Sequence, residues 1–138
     1  MKILTYEQAA AILNQAVAER GADWTFPELN ECPTCTVDDW EDYEPCPWHY
    51  SGGCRYFSDD GKPACLVGYV IDKTIDRSDL DMREIEAQHA IDALKILNNW
   101  GALSVDERTT ELLYRAQEAQ DSGQPWGAAV LQAMQMTA

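Results

Sequence analysis

The feature that most constrains this chain is a set of metal-ligating residue types in its first half. Cys32 and Cys35 are separated by two residues, and after ten intervening residues Cys46 and His49 form a second pair with the same spacing. Two such pairs are typical of tetrahedral zinc sites, in which each pair holds one side of the ion. A proline follows the first cysteine of each pair and stiffens the turn between the two ligands. We therefore predict that these four residues bind a structural Zn²⁺.

Other interpretations of the cysteines stay open. Cys54 lies five residues beyond His49 and is an alternative fourth ligand that would give an all-cysteine site. Cys-Pro-Thr-Cys is also similar to the dithiol of glutaredoxin-type enzymes, so a thiol oxidoreductase using Cys32 and Cys35 is a lesser alternative. Free surface thiols are a third interpretation. Zinc catalysis is not expected, because neither His-x-Glu nor His-Glu-x-x-His occurs in the chain. We expect a closed, structural site and no enzymatic activity.

The segment around these ligands is acidic and aromatic. Between Glu28 and Asp60 there are nine acidic residues and one basic residue, Arg55, so more than half of the net charge of −14 lies there. Because the segment lacks helical or strand periodicity, we predict a zinc-stapled loop over residues 28–57. Seven consecutive residues are candidates for docking a basic, partly apolar partner: Asp38, Asp39, Trp40, Glu41, Asp42, Tyr43 and Glu44. The alternative is a solvated loop with Trp40 folded over the metal.

Length and composition indicate the general class of protein. A chain of 138 residues with 46% hydrophobic content is expected to form a single domain over residues 1–138. No apolar stretch approaches the roughly 18 residues of a membrane span, and the N-terminus has no signal-peptide pattern, so we expect a cytoplasmic protein without membrane contact. An excess of 24 acidic over 10 basic residues argues against direct nucleic-acid binding. It leaves an acidic DNA mimic, which would occupy a nucleic-acid-binding protein, as an alternative function.

Two capping boxes mark helix starts. Thr5 and Gln8 form the first, and apolar residues then follow at helical spacing, which predicts a helix over residues 6–20. Ser104 and Glu107 form the second, which predicts another helix beginning there.

Two further helices are indicated by their end signals. Ser78 or Asp79 is expected to cap a long helix that ends at Trp100, with Gly101 in the position that favours glycine. Pro125 suits the first turn of a last helix, which would bring the number of main helices to four.

A hairpin and a short buried helix are expected between the loop and the long helix. Residues 54–57 and 64–67 flank an Asp-Gly turn signal, which predicts a small β-hairpin. The run from Cys65 to Ile71 is apolar on every side, and we expect it to form a short buried helix with Cys65 in the core. The predicted fold is therefore α+β and mainly helical, with about four helices, one small hairpin and a zinc-stapled loop.

Two strings carry a resemblance to known proteins. GKPACLVG at residues 61–68 and AQEAQDSGQPWGAAV at residues 116–130 are similar to sequences in a group of small uncharacterised proteins from actinobacteria and their phages. The likeness covers roughly residues 54–138 and the first helix, and it carries over no catalytic residues. It implies a phage-encoded accessory protein in the cytoplasm of a bacterial host.

The segment from Cys32 to His49 departs from that group, in which this region is shorter and lacks paired cysteines. We therefore expect the zinc loop to be an addition that gives this member its own partner, a host protein. The expected function is a non-enzymatic interaction module.

Overall fold

The computed structural model describes residues 2–25, 49–50, 53–54, 56–57, 62–78, 80, 82–85 and 88–138, with the backbone alone at 49, 50, 53, 54 and 82. The elements in chain order are β1 (Lys2–Leu4), α1 (Tyr6–Arg20), β2 (His49–Tyr50), β3 (Gly53–Cys54), α2 (Leu66–Thr74), a 3₁₀ turn (Met82–Glu84), α3 (Ala90–Asn99), β4 (Leu103–Val105), α4 (Glu107–Asp121) and α5 (Trp126–Met136). The described part of the chain is therefore mainly helical, as predicted. It contains five α-helices, because the short α2 adds to the four main ones.

Helix α1 matches its prediction at both ends. The hydroxyl of Thr5 accepts the N–H of Gln8 at 3.2 Å, and the Gln8 side chain accepts the N–H of Thr5 at 3.1 Å. The helix ends before Gly21, which adopts a φ of 96° and donates its N–H to the Val17 carbonyl. Both ends are set by interactions among residues close in sequence, which is why the sequence predicts them.

Helix α2 confirms the expected short buried helix and corrects part of the predicted hairpin. Phe57 and Pro63 form an antiparallel bridge, and the N–H of Ala64 donates to the Tyr56 carbonyl at 2.8 Å. The predicted second strand over residues 64–67 is wrong, because helix α2 begins at Leu66 and its residues through Ile71 are buried. A different hairpin, β2 with β3, lies inside the segment predicted to be a loop.

Helix α3 begins later than predicted. Neither Ser78 nor Asp79 caps it; the described chain forms a 3₁₀ turn at Met82–Glu84, and α3 starts only at Ala90. The carbonyl of Gln88 accepts the Tyr56 hydroxyl, and His89, the N-cap of α3, is extended with a ψ of 154°, so the helix does not run continuously through this position. The predicted end is correct, since α3 stops before Trp100 and Gly101 has a φ of 71°.

Helix α4 also begins at a different cap. Ser104 lies within β4, which pairs in parallel with β1 so that Ile3 is opposite Ser104. Asp106 is the cap instead, and its carboxylate accepts the N–H of Thr109 at 2.8 Å. The predicted capping box of Ser104 and Glu107 is therefore wrong, because a strand pairing across most of the chain keeps Ser104 extended.

The core lies around helix α4, which packs against α1, α2, α3 and α5. Leu112, Leu113 and Ala116 on α4 are fully buried, as is Trp126 at the start of α5. Gly123, with a φ of 90°, lies in the turn that connects α4 to α5. Thr25 is the last described residue of this helical body before the acidic segment.

Candidate metal centre

The structure places two of the predicted ligand residues. His49 lies on β2 and Cys54 on β3, and the antiparallel register pairs these two positions directly, with Tyr50 opposite Gly53. The residues considered as alternatives for the fourth zinc ligand therefore occupy opposite positions on one ladder. Cys32, Cys35 and Cys46 lie outside the described residues, as does the acidic aromatic run over residues 38–44.

The described part of the chain contains no other candidate metal site. No group of three or more His, Cys, Asp or Glu residues within the described ranges could hold an ion. Cys65 is fully buried, and its sulfur accepts the N–H of Gly68 at 3.4 Å. The prediction that Cys65 belongs to the core is confirmed. The zinc site formed by the four predicted ligands stays a prediction that rests on their spacing.

Arg20, the last residue of α1, contacts three aromatic side chains. Its guanidinium carbon lies 4.8 Å from the ring centre of Trp24, 5.6 Å from that of Tyr69 and 5.7 Å from that of Trp126. Its Nε donates to the Tyr69 hydroxyl at 3.1 Å, and a terminal nitrogen donates to the Pro63 carbonyl at 3.1 Å. Cation–π contacts and hydrogen bonds together hold the end of α1 against α2 and α5. Trp24 is thus packed into the described helical body one residue before Thr25.

Two glutamines of α4 complete the N-terminus of α2. The side-chain oxygen of Gln120 accepts the N–H of Leu66 at 2.9 Å, and that of Gln117 accepts the N–H of Val67 at 3.3 Å. The first N–H groups of a helix have no partner within it, so a buried helix start needs acceptors from elsewhere. Sequence analysis did not identify these residues. The available signal was their spacing, because Leu113, Gln117 and Gln120 recur on the buried stripe of α4.

Two positions, one in the string at residues 61–68 and one in the string at residues 116–130, hold glycine because neighbouring residues approach too closely for a side chain. A Cβ on Gly68 would lie 2.2 Å from the Tyr56 carbonyl oxygen, and a Cβ on Gly127 would lie 2.9 Å from the Ala22 Cβ. The strings at residues 61–68 and 116–130 thus meet each other through the glutamine caps and meet the rest of the body through these glycines. These observed contacts pack the helical body together.

An open depression of about 530 Å³ lies between the start of α4 and the end of α5. Its described lining residues are Asp106, Glu107, Arg108, Glu111, Met136 and Thr137. The Arg108 guanidinium lies 3.8 Å from the ring centre of Tyr6 and donates to the Thr137 carbonyl at 2.9 Å, while Glu111 accepts from Arg115 at 2.6 Å. Arg108 therefore holds α4 to its neighbours, whereas the Glu111–Arg115 pair lies within α4. The described lining contains no nucleophile paired with a base.

Searches against protein-family models, curated proteins and solved structures gave no match. None of the helices in the described ranges is both long enough and apolar enough to cross a lipid bilayer.

Proposed function

We propose that the protein is a non-enzymatic, zinc-stabilised interaction module, encoded by a phage and acting on a host protein in the bacterial cytoplasm. The observation that carries this proposal is the spacing of Cys32, Cys35, Cys46 and His49 around an acidic aromatic run. Such a ligand set would order a segment that has too few apolar residues to fold alone. The segment would then present a defined surface to a partner.

Charge supports a basic partner. From residue 26 to residue 48 the chain has seven acidic residues and no lysine or arginine. Acidic groups concentrated in this way speed the encounter with a positively charged surface. Trp40 and Tyr43 lie within the run, and aromatic residues of these types commonly provide most of the binding energy at interfaces.

The metal is tested first. Elemental analysis of the purified full-length protein is expected to find one zinc per chain, and His49→Ala is expected to weaken its binding. Protein without zinc would contradict the stapled-loop proposal. If the metal-free protein instead cycled Cys32 and Cys35 with glutathione at a useful rate, the oxidoreductase alternative would replace it.

The partner surface is tested by capture from a host lysate. Full-length protein is expected to retain a defined protein that the double variant Trp40→Ala/Tyr43→Ala fails to retain. Tyr114→Ala is the matched control, because Tyr114 is a partly exposed aromatic residue on α4 and is not part of the acidic run. Equal capture by all three proteins would place the interaction elsewhere.

The DNA mimic is the second candidate, favoured by the same seven acidic residues. Salt and DNA distinguish it from the leading proposal. Capture by a mimic should fall steeply between about 50 and 200 mM salt and should be competed by DNA, because carboxylates would replace phosphates. Capture through aromatic anchors should persist across that range and resist DNA.

A further inference from the structure

The exposed face of α5 carries no charge. The 17 residues from Ser122 to Ala138 include no aspartate, glutamate, lysine, arginine or histidine, whereas 25% of the whole chain is charged. Every other α-helix in the described part of the chain exposes at least one charged side chain, such as Glu7 on α1 or Lys73 on α2. Charge is therefore excluded from one helix face of a protein whose net charge is −14.

The residues of this face follow helical spacing. One side of α5 is buried against the body, and the exposed residues recur on the other side at intervals of three and four. They are Ala128, Leu131, Gln132, Gln135 and Met136. Ile3, Leu131 and Met136 are the exposed large hydrophobic residues within the described ranges, so two of the three lie on this face. Helix α5 thus presents a continuous uncharged surface to solvent.

The charge of the whole protein decides which partner this surface fits. A basic partner is attracted by acidic side chains, and this face offers none. A second copy of the chain has the same net charge of −14, so it is repelled wherever two acidic surfaces meet. An uncharged face is where two such copies can make contact without bringing like charges together.

We propose that α5 packs against α5 of a second copy in an antiparallel, two-fold symmetric dimer. The same residues meet on both sides of such an interface, so the face must be complementary to itself. An antiparallel pair centred between Leu131 and Gln132 sets Ala128 of one copy opposite Gln135 of the other, a small side chain against a large one. Glutamine amides both donate and accept hydrogen bonds, so the glutamines of two copies satisfy one another.

The size of the face determines the strength of the dimer. Helix α5 has 11 residues, so it is about 16 Å long at a rise of about 1.5 Å per residue. One side of such a helix offers less than the roughly 800 Å² that each partner buries in a stable interface. We therefore expect a reversible dimer with a Kd of about 10–100 μM.

Sedimentation equilibrium of the full-length protein tests the proposal. Between about 5 and 500 μM we expect a monomer–dimer equilibrium. The dimer should become tighter as salt rises from about 50 to 500 mM, because salt screens the repulsion between two acidic copies. A protein that stayed monomeric up to 500 μM, or a dimer that salt dissociated, would overturn the proposal.

Two matched substitutions locate the contact. Gln132→Glu places one added charge from each copy beside the two-fold axis and is expected to weaken the dimer by at least about tenfold. Gln15→Glu makes the same chemical change at an exposed position on α1 and should alter the Kd by less than about threefold. Circular dichroism checks that both variants keep their helices. Equal Kd values for the two variants would place the contact outside α5 and overturn the assignment.

Discussion

Individual buried polar residues explain why a helix begins at Leu66. Its N–H and that of Val67 face the core, where water cannot satisfy them, and the two glutamine side chains of α4 accept both. Cys65 supplies the third acceptor through its sulfur, to the N–H of Gly68. Cys65 is the N-cap of α2 and the two glutamines add further acceptors, so the loss of any one of them would leave a buried N–H without a partner, at an uncompensated desolvation cost.

Gln120→Ala is expected to lower the free energy of unfolding by about 1–3 kcal/mol, because it leaves the Leu66 N–H buried without a partner. Urea denaturation followed by circular dichroism measures the change. Gln135→Ala, at an exposed position on α5, is the matched control and should change stability by less than about 0.5 kcal/mol. Equal effects in the two variants would show that the cap does not stabilise α2.

Gly68→Ala tests the close approach of α2 to the backbone at Tyr56. The added Cβ would meet the Tyr56 carbonyl oxygen at 2.2 Å, so backbone atoms must shift. We expect a net loss of about 1–3 kcal/mol, even though alanine favours a helix over glycine by about 1 kcal/mol. Lys73→Ala, exposed on the same helix, should change stability by less than about 0.5 kcal/mol. A stabilised Gly68→Ala protein would contradict the packing described here.

At the level of elements, the starts of helices divide into two kinds. α1 begins at a capping box whose two members are neighbours in sequence, and its predicted start is correct. The cap of α4, Asp106, lies two residues after the predicted cap, because β4 pairs with β1 and keeps Ser104 in an extended strand. Local signals set a helix end only where no distant segment competes for the same backbone groups.

Asp106→Ala is expected to cost about 1 kcal/mol of stability, since it removes the acceptor for the Thr109 N–H. Ser104→Ala is the control and should cost less, because Ser104 does not cap the helix. Thermal unfolding of both variants at pH 7 measures the difference. A larger loss of stability for Ser104→Ala than for Asp106→Ala would show that Ser104 caps the helix, as the sequence predicts.

The contribution of Asp106 should also depend on pH. Hydrogen bonding by Thr109 holds the pKa of Asp106 below its ordinary value of about 3.9. The ionised form is therefore the one that stabilises the fold, so the contribution is present above the unfolded-state pKa and is lost as pH falls through the lower folded-state pKa. The stability difference between wild type and Asp106→Ala should shrink below about pH 4. A difference that stayed constant down to pH 2 would contradict this assignment.

At the scale of the whole molecule, the helical body and the acidic segment have different sources of order. The buried core of the described residues comes mainly from β1, β4 and the five helices. Tyr56 and Phe57 also belong to it, and they follow the acidic segment in the sequence. The segment over residues 26–48 has a strongly acidic composition that does not favour a core of its own. Under the zinc proposal, removing the metal is therefore expected to affect the segment much more than the body.

A variant lacking residues 30–52 is expected to keep the helical body. Its circular dichroism should retain a helical spectrum, and its thermal unfolding should stay cooperative, because the buried core of the described residues lies outside the deletion. The wild-type protein with its zinc chelated is the companion sample and should behave in the same way. Collapse of helical structure in either sample would show that the segment is part of the core.

Interactions within a few residues account for what the sequence by itself determined. The chain predicts α1 with its cap, the end of α3 at Gly101, the buried character of α2 and the core position of Cys65. It also predicts the pairs of zinc ligands, since their spacing is a local property. Each of these depends on a short pattern that can be recognised without knowing what lies opposite.

Tertiary structure alone decided the features that join distant parts of the chain. These are the parallel pairing of β1 with β4, the capping of α2 by Gln117 and Gln120, and the late start of α3 beyond the carbonyl of Gln88. The register that pairs His49 with Cys54 joins residues close in sequence, yet the segment has no strand periodicity from which that register could be predicted. A backbone group can bond to only a few partners, and the choice among near and distant partners is made only when the chain is folded.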